Sequence, residues 1–147
     1  MYYFAGKDGF EISTSENKSD SIQKPVSYSK QERDQISNYI TGAIYECELD
    51  PSNPLGFGYS TYYTLRQGAD QFKISGENVF HLKKEAVALN GFVGSRVKKQ
   101  QNEASIAGYQ SYGNGSIIYF IDNPLFRGFW ENGKLMIANA LFFVNEN

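Results

Sequence analysis

The sequence has one cysteine, one histidine and one tryptophan in its 147 residues. A lone cysteine excludes a disulfide within the chain. A lone histidine leaves zinc short of ligands, since such a site draws several His, Cys or carboxylate groups onto rigid spacing. His81 is followed by Glu85, and no second histidine exists. No metal or cofactor ligand set is therefore expected in this chain. Long apolar runs are also absent. Nothing approaches the ~20 residues needed to span a bilayer. The first residues, Met1-Tyr2-Tyr3-Phe4, have neither the basic start nor the apolar core of a signal peptide. Charge of one sign is scarce: 14 basic side chains stand against 16 acidic ones, for a net charge of -2. That balance gives no pull toward nucleic-acid phosphates.

Signatures of catalysis are missing as well. No Gly-x-Ser-x-Gly elbow occurs. Gly91-Phe92-Val93-Gly94-Ser95 lacks the Gly-Lys-Ser/Thr ending of a phosphate loop. Cys47 lies between Glu46 and Glu48, and neighbouring carboxylates disfavour the reactive thiolate. Cys47 reads as buried packing rather than as a nucleophile.

What the chain does have is aromatic and apolar bulk, with 11 Tyr, 11 Phe and a hydrophobic content of 41%. That content predicts a folded chain. The length predicts one domain over residues 1–147 that buries about two thirds of its unfolded surface. The aromatics fit a core and half-buried sheet faces. They could also supply platforms for a sugar or a peptide.

Residues 13–24, STSENKSDSIQK, carry almost no large apolar group and read as a flexible loop. Ser29-Lys30-Gln31-Glu32 has the form of a capping box, predicting a helix from about Lys30 to Tyr39 with Gly42 as its stop. Ile36, Tyr39 and Ile40 are expected on its core face. Residues 43–49 alternate, with Tyr45, Cys47 and Leu49 on one side and Glu46 and Glu48 on the other, the pattern of a half-buried strand. Asp50 to Pro54 is a rigid turn, and Gly56-Phe57-Gly58 permits unusual backbone angles. Short strands are expected at 72–74 and 79–82, and a solvated helix at 95–102. A strand at 106–112 should pair across Gly113-Asn114-Gly115 with 117–121.

The final fifth is the most specific part. Ile117-Ile118-Tyr119-Phe120-Ile121 shows no polar alternation, which predicts burial on both faces. Asp122-Asn123-Pro124 ends it. Leu125-Phe126-Arg127-Gly128-Phe129-Trp130 follows, then an apolar stretch, Leu135 to Phe143, that predicts a buried helix. Arg127 is expected to clamp this bend by pairing with Asp122 or a carbonyl. Trp130 is a candidate docking residue. Asn139 is expected to hydrogen-bond a neighbouring loop.

The string from Asp122 to Trp130, with Gly133-Lys134-Leu135 and Asn139-Ala140-Leu141-Phe142-Phe143, resembles the C-terminal end of bacterial zinc carboxypeptidase-like proteins. Ile44 to Asp50, Pro54 to Tyr59, Tyr63-Thr64-Leu65 and Gly91 to Gly94 fit the same picture, so the resemblance covers Gly42 to Phe143. Those proteins carry a glutamine-amidotransferase-like domain behind the peptidase domain. The resemblance implies an α/β fold, a layered flavodoxin-like sheet with helices on both faces, lacking its first strands at this length. It implies a segment of a longer, periplasmic or secreted hydrolase whose zinc belongs to the peptidase domain. Active amidotransferases need a nucleophilic Cys and a His-x-Glu pair, and His81-Leu82-Lys83 breaks that pair. The expected role is therefore a non-catalytic accessory domain whose partner is the peptidase domain of its own polypeptide. A free-standing sugar- or peptide-binding module is the alternative, and an autonomous amidotransferase-type hydrolase a weaker one.

Overall fold

A computed structural model describes residues 3–15 and 27–144. Its longest strand, β2 (Ile40–Leu49), organises the molecule. The alternation of residues 43–49 holds: Ala43, Tyr45 and Cys47 are buried, while Glu48 is exposed. β3 (Tyr62–Arg66) pairs along one edge of β2, with Tyr45 opposite Thr64. The other edge is shared in succession. β6 (Asn90–Val93) pairs with its first half and β5 (Glu77–Leu82) with its last residues. β7 (Ser105–Tyr112) follows β5, and β8 (Gly115–Phe120) closes the order β3-β2-β5-β7-β8. A second sheet has two strands, β1 (Ile12–Thr14) and β4 (Phe72–Ile74).

Helix is sparse. Among the described residues it comprises α1 (Tyr28–Ser37), α2 (Lys134–Phe142) and four short 3-10 turns. Helix and strand are mixed, as expected. Every strand pairing among the described residues is antiparallel. A flavodoxin-like sheet needs parallel neighbours joined by crossover helices, and the described residues do not show that arrangement.

Several local expectations need correction. Ser13 and Thr14 belong to β1 rather than to a loop, and residues 16–24 lie outside the described ones. α1 starts at Tyr28, so Ser29 lies inside it, and Ser27 at its start makes no side-chain cap. It ends early because Ser37 Oγ and Asn38 Nδ2 both donate to the Asp34 carbonyl, at 2.8 and 2.9 Å. Ile36 and Tyr39 are consequently exposed, and only Ile40 is buried, as the first residue of β2. The segment 95–102 is a single 3-10 turn rather than a solvated helix, with Val97 and Gln101 buried.

The β7–β8 hairpin forms as expected, Tyr112 facing Gly115 across a two-residue turn. Gly113 opens that turn with φ 59°, which glycine adopts at little cost. β8 is an edge strand, yet both its faces meet apolar groups. Ile118 and Phe120 pack on the main core. Tyr119, Ile117 and Ile121 pack with Ile12, Phe72 and Ile74 of the small sheet. The unalternating run thus reflects two separate cores, one on each face, rather than a central position between helices.

A buried ion pair and an apolar helix face

β3 points Tyr62, Thr64 and Arg66 inward, opposite Cys47, Tyr45 and Ala43 of β2. Arg66 is only 1% exposed. Its Nη1 donates to both carboxylate oxygens of Asp122 at 3.3 Å. Its Nη2 donates to the carbonyls of Gly68 and Asp70. Thr64 Oγ1 donates to Asp122 Oδ2 at 2.8 Å. The pair therefore ties β3, the loop after it and the end of β8 together. Burial pushes the Asp122 carboxyl above its ordinary range, against the pull of Arg66 and the Thr64 hydrogen bond. Arg66 Nε and Tyr45 Oη have no partner among the described residues. A cleft of about 250 Å³ opens beside the pair, lined by Arg66, Gln67, Asp70, Phe72, Asp122 and Asn123 among others.

Cys47 shares this interior. Burial first, and the Asp122 charge second, push its thiol far above the usual range. A thiol held protonated in this way is a poor nucleophile. His81 sits on the outer side of the sheet, with Nε2 3.2 Å from a carboxylate oxygen of Glu48. Among the described residues, no three His, Cys, Asp or Glu side chains gather as a metal-binding group. No described helix is long and apolar enough to cross a membrane.

The bend after β8 is held differently from expectation. Arg127 is exposed and does not reach Asp122, whose partner is Arg66. Its backbone takes φ 50°, in the left-handed region, and its guanidinium lies 5.1 Å from the Phe126 ring centre. Trp130 Nε1 and Asn132 Nδ2 both donate to the Tyr63 carbonyl, at 3.3 and 2.9 Å. That contact fastens the bend to the outer edge of β3. Asn139 is fully buried, and its Nδ2 donates to the carbonyls of Leu55 and Phe57 at 3.0 and 2.7 Å. Gly56 lies between those two, where a Cβ would collide with the Asp50 carbonyl oxygen.

α2 buries one face only. Met136, Asn139 and Ala140 are buried, whereas Leu141, Phe142 and Phe143 are 65%, 75% and 53% exposed. The expectation of a helix buried all round is thus corrected. Phe57, 60% exposed, stands beside this face with its ring centre 5.6 Å from that of Phe143. A hollow of about 350 Å³ lies against these two rings, lined also by Ser52, Asn53 and Pro54.

Arg66 is the residue that the sequence reading passed over. A lone basic residue at the end of an alternating strand resembles a solvated strand end. The available signal was parity, since Arg66 shares the face of Tyr62 and Thr64.

Comparison with protein-family models, curated proteins and solved structures returns no match.

Proposed function

We propose that this chain is a non-catalytic accessory domain that docks a neighbouring domain through the outer face of α2. The observation that carries this reading is that face itself. Leu141, Phe142, Phe143 and Phe57 are exposed apolar side chains at the C-terminal end of α2 and the loop beside it, with Phe57 and Phe143 in ring contact. Contiguous exposed apolar surface marks interaction sites in folded chains. The resemblance of the block from Asp122 to Phe143 suggests the partner, the peptidase domain of a zinc carboxypeptidase-like protein. Zinc and hydrolysis would belong to that domain, and the secreted or periplasmic setting follows from the same resemblance. An amidotransferase-like layered fold has no support in the antiparallel pairings, so the proposal rests on the surface and not on the fold. Hydrogen exchange of the chain with and without the peptidase domain tests it. Slowed exchange across α2 and the loop at Phe57 is expected. Slowing elsewhere, with α2 unchanged, would overturn it.

A second reading has its own observation. The cleft beside Arg66 and Asp122 offers polar groups and the Phe72 ring within about 250 Å³. That supports a binding module for a small polar ligand such as a sugar or peptide end. Chemical-shift changes at Gln67, Asp70 and Asn123 on titration with such ligands would favour it. The autonomous hydrolase gains nothing from a buried, protonated Cys47.

A further inference from the structure

β8 ends the sheet, and the β7–β8 register fixes which of its backbone groups face outward. A two-residue turn closes on a hydrogen-bonded pair, here Tyr112 and Gly115. Hydrogen-bonded pairs recur at every second step in an antiparallel ladder, so Gln110 with Ile117 and Gly108 with Tyr119 are the next two. Ile121 N donates to Ile106 O at 2.9 Å, which continues the same phase. The N–H and C=O groups of Ser116, Ile118 and Phe120 therefore point away from β7. None of them has a hydrogen-bond partner among the described residues.

Among the described residues, the usual protections of this edge are missing. Edges are blunted by charged side chains, proline, bulges or a covering segment. Residues 115–121 contain no charge and no proline, and the β7–β8 register runs without a bulge. The edge at β3 is treated differently, because Trp130 and Asn132 occupy its Tyr63 carbonyl.

We propose that β8 is a self-association edge, on which a second copy of this chain pairs antiparallel about a twofold axis at Ile118. The three outward residues are spaced evenly about Ile118. Twofold pairing sets Ser116 against Phe120 of the copy and Ile118 against its own equivalent. Each such pair exchanges two hydrogen bonds, roughly six in all. No like charges meet along the strand. The first charged residue beyond it, Asp122, comes opposite the uncharged Asn114 of the copy. A foreign peptide on an edge is selected through side-chain pockets at alternate positions. β8 offers none of these, because Ile118 and Phe120 already pack on one core and Ile117 and Tyr119 on the other. What remains is a symmetric row of backbone groups, which suits its own copy. An isologous contact of this kind closes on itself.

Sedimentation velocity over a range of concentrations, paired with amide hydrogen exchange, tests this. The chain is expected to sediment as a dimer. The amides of Ser116, Ile118 and Phe120 should exchange slowly and faster on dilution. Ile118→Pro removes an N–H that β7 does not use, and proline is tolerated on edge strands. That variant should fold and sediment as a monomer. Phe142→Glu, which addresses the docking face, should leave the dimer intact. A wild-type monomer with three fast amides would overturn the proposal. So would a dimer that survives in folded Ile118→Pro, or assemblies that grow beyond two copies. If Ile118→Pro does not fold, the dilution dependence of the three wild-type amides decides the question.

Discussion

The Arg66 guanidinium joins β3, the loop after it and the segment that follows β8. It holds Asp122, two carbonyls of the β3–β4 loop and, through Asp122, the Thr64 hydroxyl. A buried ion pair is not strongly stabilising in itself, because desolvation offsets most of the Coulomb gain. Breaking it from one side is costly. Arg66→Ala should lower stability by about 3–5 kcal/mol, read from urea unfolding. The paired change Arg66→Met with Asp122→Leu should cost far less than either change alone. Equal losses in the single and double variants would contradict this. The raised Asp122 pKa has a definite sign. Its folded pKa lies above its unfolded value, so the folded chain holds the proton more tightly. The stability this group contributes is complete below the unfolded pKa and lost as pH rises through the folded one. The Asp122 share of stability should therefore fall as pH rises above about 4, and comparison of the melting temperature with that of Asp122→Asn across pH should show this downward component removed in the variant. A steeper slope in the variant would reverse the assignment. Cys47, 4% exposed and protonated, should react slowly with a thiol reagent in the native chain and quickly in urea. Rapid native labelling would argue for an open, reactive thiol.

Elements were legible in proportion to how local their causes are. Alternation at Tyr45, Cys47 and Leu49 identified β2, and Gly113-Asn114 identified the β7–β8 hairpin, because both signals lie within a few residues. Partners were not legible. The apolar run 117–121 promises cover on both faces, and a helix layer or a small sheet supplies it equally well. Here β1 and β4 do, from far earlier in the chain. α1 misled through Ser29, since a capping pattern states only what a helix start permits. The clamp at the bend was expected from Arg127 beside Asp122 in sequence. The true partner is 56 residues away, on β3. Asn139 shows how one polar side chain can fasten an element. Its amide joins α2 to the loop at Leu55 and Phe57. Asn139→Ala leaves the buried Leu55 carbonyl and the part-buried Phe57 carbonyl without this donor, so a loss of about 1–3 kcal/mol is expected. Asn139→Asp should do no better, as a carboxylate cannot donate to either carbonyl. An Asn139→Ala variant that melts with the parent would show α2 to be held by packing alone.

At the scale of the whole molecule, the sheet closes its inner face over one core and lends the face of β8 to another, while the end of α2 and the residue after it keep Leu141, Phe142 and Phe143 in solvent. Exposed apolar side chains of this kind are what the proposed docking role rests on. Surface substitutions there should leave folding nearly unchanged, within about 0.5 kcal/mol. The most direct test is calorimetric titration of this chain with the peptidase domain that the proposed function places in the same reading frame, beside Phe142→Glu at matched melting temperature. A complex with the parent chain is expected, lost or greatly weakened in Phe142→Glu. A reading frame without a peptidase domain, no complex, or a complex indifferent to Phe142→Glu would contradict it.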